Sequence, residues 1–405
     1  MNKRCDTGQI KVERLIPGGQ AVATLADGKK IFFWNALPGE NVTKFRVVKE
    51  KSNFVEAIAE EITATSEHRT KPRDDCYLAT SPWQIFDYDY ELITKRELVA
   101  EVFRQQNIEF SGEKTRPSST VFAIEIAPTA TDGEEYFYRN KMEYSLYYDH
   151  NTSQIYPAFR ARGSHRKLIV RSSSLERPEI FARAQEIIAE LNATGKEARH
   201  YQSLLLRANQ AGQVSGGLLE NHQPHPTFPL LNDQILGYDY SYSPNGFFQI
   251  NPPVYELALR EITAWVSQEK VLDLYAGVGT IGLSVARNKQ LTLVECDHAA
   301  YRELERNCQG TSAQPILSKS ELALNYIAPD QTVILDPPRA GCQPELIEKL
   351  LAVKPAQIIY LSCNPATQAR DVAMLLEAYR PLAVKPFNFF PHTPHIENLI
   401  ILERK

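Results

Sequence analysis

The sequence lacks any long hydrophobic run. Apolar residues make up 43% of 405, but their longest stretches fall far short of the ~20 needed to cross a bilayer. No membrane partner is expected. Cysteine is sparse: six residues, at 5, 76, 296, 308, 342 and 363, with no C-x-x-C spacing. That excludes a disulfide framework and a zinc ribbon, predicts no metal site, and fits a reducing cytosol. The opening residues Met1–Asp6 lack the apolar core of a signal peptide, so a cytoplasmic location is expected. An excess of positive charge is missing too. The net charge of −4 gives no global nucleic-acid footprint, so any such surface must be local.

The chain does hold a short apolar run, Ile358–Leu361, that reads as a buried strand and stops at Ser362-Cys363-Asn364-Pro365. Pro365 has no donor N–H, and a helix is expected from about Ala366. A thiol thus stands at the carboxyl end of a strand, where open α/β sheets bind ligands. Near a helix N-terminus it tends toward thiolate. A lone cysteine is more often a small core residue, so the argument needs its surroundings.

Those surroundings alternate strand and helix from about Asp239 to Lys405, which predicts a doubly wound sheet with an antiparallel end. Val271–Gly282 reads as strand, glycine turn, helix. Gly277-x-Gly279-x-x-Gly282 also matches the dinucleotide fingerprint, and by itself leaves nicotinamide cofactors and S-adenosylmethionine equally open. Asp273, four residues before the first glycine, favours S-adenosylmethionine. Glu295, ending the next strand, is placed to accept ribose hydroxyls. Asp336-Pro-Pro-Arg339 follows a further buried strand, and its prolines fix where the carboxylate points. Aminomethylases carry an aromatic residue where Arg339 stands, which argues against exocyclic-amine chemistry.

Thiol, carboxylate and methyl donor together answer one problem. Carbon 5 of uracil is a poor nucleophile. A thiolate added to carbon 6 makes carbon 5 enolate-like, and a base must then remove the carbon 5 proton. Cys363 and Glu397, at the start of a final strand, suit those roles.

Ahead of this domain the signals are softer. Residues 1 to 62 show short alternating runs, including Gln9–Leu15 and Phe54–Ile58, separated by turns such as Pro17-Gly18-Gly19. A small β-barrel is expected, and Gly18–Val22 with Ala36–Val42 resembles a TRAM domain, an OB-like RNA-binding barrel. Thr63–Cys76 reads as a linker. Trp83–Phe110 carries a helical pattern with Leu98, Val99, Val102 and Phe103 inward and Lys95, Arg96 and Glu101 on the polar face. From 117 to about 240, strands surround one helix, Pro178–Ala193. Phe159–Lys167 is the most basic stretch. With Tyr138, Tyr144 and Phe159 it suits phosphate neutralisation and base stacking, although a solvated strand face explains it as well.

Taken together, Tyr138–Glu143, Asn245-Gly-Phe-Phe-Gln-Ile-Asn251, the glycine turn, Asp336–Gly341, Ser362–Pro365 and His395-Ile-Glu397 resemble the RNA 5-methyluridine (uracil-C5) methyltransferase family. The resemblance covers nearly the whole chain. It implies a class I, Rossmann-like methyltransferase domain at 239–405, an OB-like barrel at 1–62 and a mixed α+β central domain at 63–238. It implies S-adenosyl-L-methionine as cofactor, held by Gln249, Tyr275, Gly277, Thr280, Glu295 and Asp336, with Cys363 as nucleophile and Glu397 as base. RNA is the implied partner of a monomer, with 23S rRNA favoured over the tRNA T-loop. From another class, a non-catalytic RNA-binding or assembly protein remains an alternative, and a dinucleotide oxidoreductase a weaker one. Many relatives bind an iron–sulfur cluster through four cysteines. Here Cys76 stands alone and Ser172-Ser-Ser174 fills the downstream site, so no cluster is expected. Ser318-Lys-Ser320 replaces the family's acidic residue near the adenine and carries no assignment.

Overall fold

The computed structural model describes residues 4–5, 9–112, 118–195 and 197–405. The reading of Met1–Asp6 therefore falls outside the described residues, apart from the backbone of Arg4 and Cys5.

The N-terminal unit contains β1 (Arg4–Cys5), β2 (Ile10–Lys11), β3 (Arg14–Leu15), β4 (Ala21–Thr24), β5 (Lys30–Trp34), β6 (Asn41–Glu50) and β7 (Phe54–Ala64). Strand order is β1-β6-β7-β5-β4-β3, and β2 pairs back onto β6. Residues 9–15, read above as one strand, are thus two, bent at Val12 and Glu13. One half pairs with β6 and the other with β4, which closes the sheet and removes its free edge. Ala21, Ala23, Ile31, Phe33 and Val42 fill the interior. The last strand runs to Ala64, two residues past the expected boundary.

The expected linker is not loose. Arg69 places Nε 2.6 Å and Nη2 2.8 Å from the two oxygens of buried Glu40, and Nη2 also donates to the Asn35 carbonyl at 3.0 Å. A buried carboxylate requires such a partner, and this one ties the segment to the barrel.

The central region holds α1 (Tyr77–Thr80), α2 (Tyr88–Gln105), the parallel pair β8 (Ile108–Phe110) and β9 (Thr120–Phe122), then β10 (Lys141–Asp149), β11 (Gln154–Arg160), β12 (Lys167–Ile169), α3 (Pro178–Thr194), β13 (Tyr201–Ala208) and β14 (Val214–Glu220). The last five strands form an antiparallel sheet in the order β12-β11-β10-β13-β14. Helix α3 covers it with Ile180, Ala184, Ile187, Ile188 and Leu191. Two expectations need correction. Tyr138, Tyr144 and Phe159 are buried, so their rings serve the core and cannot stack on bases. The polar face of α2 is also misread: Lys95 has no exposed surface, while Ile93 is 55% exposed.

The C-terminal unit contains the hairpin β15 (Leu231–Ile235) and β16 (Tyr238–Tyr242), α4 (Pro252–Trp265), β17 (Lys270–Leu274), α5 (Thr280–Val285), β18 (Gln290–Glu295), α6 (His298–Asn307), β19 (Gln314–Leu317), β20 (Gln331–Leu335), α7 (Pro344–Val353), β21 (Gln357–Ser362), α8 (Pro365–Leu375), β22 (Tyr379–Phe387) and β23 (Glu397–Arg404). The sheet order is β19-β18-β17-β20-β21-β23-β22, parallel from β19 to β21, with β23 antiparallel to both neighbours. One face packs Leu272, Val333, Ile358 and Tyr360 against α2, α7 and α8. The other packs Val271, Ile334, Ile359 and Leu361 with α4 and the hairpin residues Leu231, Ile235, Tyr240 and Tyr242. The hairpin therefore shares this core, which starts before residue 239.

Candidate active site

Sheet order lines up the expected site residues. Leu274 pairs with Val294 on one side and Leu335 on the other, so Tyr275, Glu295 and Asp336 lie at or just beyond neighbouring strand ends. Leu335 pairs with Tyr360, and Ser362 with Asn398. Cys363 and Glu397 therefore sit at the same edge of two adjacent strands. Across the edge the sequence is Glu295, Tyr275, Asp336, Cys363, Glu397. Three strand steps separate the first from Cys363, roughly 14 Å at ~4.8 Å per step.

At one end the glycine turn is held by its own backbone. Glu295 accepts N–H bonds from Gly277 (2.8 Å), Cys296 (2.7 Å) and Asp297 (2.6 Å). Buried Asp273 accepts from Gly282 N–H at 2.9 Å, while its other oxygen has no partner. Of the three glycines, Gly279 and Gly282 face packed side chains, whereas Gly277, at φ +58°, faces open space. Thr280 opens α5 and is buried. Gln249 is also buried, and its carbonyl accepts from the Asn140 amide at 3.0 Å.

At the other end Cys363 floors a notch of about 270 Å³. Arg339 and His395 line it, 3.1 Å apart between Nη2 and Nδ1. Asn364–Ala366, Pro394 and Ile396 of the sheet domain add to its walls, and four lining residues come from outside that domain: Pro17 and Gly18 of the barrel, and Leu98 and Val102 of α2. The barrel approaches closely here. A Cβ on Gly19 would lie 2.2 Å from Pro394, and Trp83 donates its indole N–H to the Gly19 carbonyl at 3.0 Å. Asn364 caps α8 and donates to the Arg339 carbonyl at 2.8 Å, fixing the Asp336–Arg339 turn to the cysteine turn.

The electrostatics differ from expectation at Cys363. Burial, then Glu397 and Asp336, push its thiol up to about 11 against the pull of Arg339. The α8 terminus does not win, because burial, reinforced by the two carboxyl groups, outweighs it. Burial raises Asp336 to about 7, and it raises Asp273, also beside Asp336 and Glu295, to about 8. Glu397, 4% exposed, is held well above the ordinary carboxylate range by burial and by Asp336, with Arg339 opposing. The edge is thus a row of carboxyl groups.

Comparison with known proteins follows the same line. The family model tRNA (uracil-5-)-methyltransferase matches residues 319–405. A Vibrio campbellii protein named 23S rRNA (uracil(1939)-C(5))-methyltransferase RlmD is 28% identical over 98% of this chain and 95% of its own. A Lactiplantibacillus plantarum RNA methyltransferase is 26% identical over 96% and 95%. The Pyrococcus abyssi tRNA (uracil-54, C5)-methyltransferase, solved with S-adenosyl-L-homocysteine, shares the fold with a TM-score of 0.75 at 23% identity, covering 97% of this chain and 99% of that one. Residues 319–405 thus match the tRNA (uracil-5-)-methyltransferase family, and nearly the whole chain is similar to RNA methyltransferases.

Enzymes of this family are class I methyltransferases that use S-adenosylmethionine. The residues present fit that group. The open face of Gly277 leaves room for it, and the carboxyl groups of Asp273, Asp336 and Glu397, which burial holds toward their protonated forms, can ionise beside a cationic ligand. Sequence reasoning missed what surrounds the Cys363 notch. Pro17 and Gly18 read only as a turn. Lys95 read as part of a polar face and Glu91 carried no reading, and no spacing signal separates an exposed pair four apart from a buried one. Cys76 is buried in the central core with its thiol raised to about 12, and Ser174 donates to Asp74 at 2.8 Å beside it.

Proposed function

We propose that this protein methylates carbon 5 of a uridine in structured RNA, with Cys363 as nucleophile and Glu397 as base. The observation that carries the reading is the register of β21 and β23, which brings both residues to one edge beside Asp336. When bound, the cofactor supplies an electrophilic methyl on a cationic sulfur. Gly277, Thr280, Glu295, Tyr275 and Gln249 line the path on which it would lie, and Asp336 faces its positive charge. That charge opposes the burial and the carboxyl groups that hold the thiol up, favouring the Cys363 thiolate. The target base leaves its stack to reach the notch. The Cys363 sulfur adds to carbon 6, and the electron pair displaced to carbon 5 takes the methyl group. Glu397 then removes the carbon 5 proton, carbons 5 and 6 regain their double bond, and the thiolate leaves. Arg339 sits where it steadies both the thiolate and an ionised Glu397.

The closed barrel at the N-terminus, read as an OB-like RNA-binding module, and the name of the Vibrio campbellii relative favour 23S rRNA. A tRNA T-loop is the competing substrate, supported by the name of the Pyrococcus abyssi protein. The enzyme is read as a monomer of the cytosol; among the described residues no helix is long and apolar enough to cross a membrane.

Incubation with 5-fluorouridine RNA and S-adenosylmethionine tests the chemistry. The wild type should form an RNA–protein adduct that survives denaturing gels, and Cys363→Ala should form none. Absence of adduct and of methyl transfer from the wild type, on both unmodified 23S rRNA and tRNA transcripts, would favour the non-catalytic RNA-binding alternative. Transfer to one transcript only decides the substrate.

A further inference from the structure

The loop between β22 and β23, residues 388–396, is held chiefly from outside its own sheet. Glu91 and Lys95 of α2 lie beneath it, both side chains without exposed surface, 2.8 Å apart. Lys95 also donates to Asn388 Oδ1 at 2.5 Å and to the Phe390 carbonyl at 3.0 Å, so all three of its N–H donors are used. Glu91 accepts from the Asn388 amide at 3.1 Å and from the His392 backbone N–H at 3.1 and 2.9 Å through its two oxygens. His392 itself stands at φ +60°, a left-handed conformation that a non-glycine residue keeps only when its surroundings impose it. Tyr138 adds a hydrogen bond to the Pro391 carbonyl at 3.0 Å, and Trp83 N–H one to the His392 carbonyl at 3.0 Å.

A buried ion pair is a poor stabiliser. Removing two charges from water costs about what their attraction returns, and apolar replacements are often neutral or better. The placement of this pair therefore needs another reason. Phe387, the residue before the loop, pairs with Glu397, the residue after it. Pro394, His395 and Ile396 from the same loop line the Cys363 notch. Whatever fixes the loop fixes both where the Glu397 carboxyl starts and the wall facing the sulfur.

We propose that Glu91 and Lys95 are positioning residues for the proton-removal half of the reaction, acting through the 388–396 loop on Glu397. The inference rests on the proposed roles of Cys363 and Glu397. The sulfur itself is delivered by β21 and the turn into α8, whereas the loop, which the pair holds, carries the start of Glu397 and one wall of the notch. Loosening the loop should slow elimination after the adduct has formed.

The test uses the full-length protein and whichever unmodified transcript, 23S rRNA or tRNA, the wild type methylates. Glu91→Leu/Lys95→Met removes both charges and keeps apolar bulk, so no buried charge is left alone. We expect kcat to fall about 10²-fold, as for a small misplacement of a catalytic group. KM for RNA and for S-adenosylmethionine should not change, and an RNA-linked species should build up during turnover of ordinary, non-fluorinated RNA. Glu91→Gln/Lys95→Met, which keeps one acceptor oxygen and again leaves no buried charge alone, should recover part of kcat. Ile188→Ala in the central core serves as a control that lowers Tm without touching the loop, and it should build up no adduct. The proposal is overturned if the double variant keeps wild-type kcat. It is equally overturned if its loss matches that of Ile188→Ala at equal folded fraction without RNA-linked species. A wild type that transfers no methyl and forms no fluorouridine adduct would instead overturn the catalytic reading itself.

Discussion

The two ends of the strand edge are built on opposite plans. At the Glu295 end the hydrogen bonds that shape the glycine turn are mostly local. Asp273, Gly277, Gly282 and Glu295 lie within one strand–turn–helix–strand unit and satisfy one another through backbone N–H groups. At the Cys363 end the local residues do not suffice. The notch takes walls from the barrel and from α2, and the loop before Glu397 is gripped by side chains some 300 positions earlier in the chain. The difference teaches where each end gets its precision. A cofactor common to many folds is held by a self-sufficient turn. A single uridine must be met by surfaces that only the assembled domains provide.

The largest effect that can break this contrast is at Glu397. Glu397→Gln keeps size and polarity but cannot take a proton, so turnover should fall by about 10²–10⁴-fold. RNA-linked protein should accumulate, while calorimetry should find unchanged affinity for S-adenosylhomocysteine. A matching loss of cofactor affinity would mean the two ends are not separable. The mirror experiment is Gly282→Ala. Its Cβ would lie 2.6 Å from Leu293 and 2.8 Å from the Asp273 carboxylate. Overpacking of about 1–3 kcal/mol is expected, which would weaken S-adenosylhomocysteine by about tenfold or more and leave RNA affinity alone. An RNA-binding defect in a gel-shift titration would join what the geometry separates.

The same contrast explains what could be read from the chain alone. The sheet domain was legible because its buried strands are short apolar runs closed by motifs, and the positions of Cys363, Asp336 and the glycine turn follow from those runs. Helix α3 was legible from its apolar stripe. Lys95 was not, because helical periodicity places charges outward by default, and only the partner loop, unseen in the local pattern, turns it inward. The aromatics of the basic stretch failed in the same way. Tyr144 and Phe159 alternate with charges as a stacking surface would, but a half-buried strand has that pattern too. The state of the Cys363 thiol was misjudged because the helix terminus is visible in sequence, whereas the thiol's burial and its neighbours Glu397 and Asp336 are not.

The smallest effect probes the charge row itself. S-adenosylmethionine and S-adenosylhomocysteine differ at the sulfur, cationic in one and neutral in the other, so the ratio of their affinities isolates the field there. Burial holds Asp336 at about 7, well above its value in an unfolded chain. The sign is fixed by that direction. Below about 4 the group is protonated in both folded and unfolded protein, and it costs the fold nothing. As pH rises toward 7 the unfolded chain ionises first, so this group erodes the stability of the ligand-free protein. The folded carboxylate appears only around pH 7, and only then attracts the sulfonium. The preference for S-adenosylmethionine should therefore climb between about pH 6 and 8, by up to roughly tenfold per unit shift relieved. Asp336→Asn should flatten the climb and remove its share of the stability lost with rising pH. A ratio that stays level in the wild type would put Asp336 out of reach of the sulfur, and the row of carboxyls would then serve the thiol and base end alone.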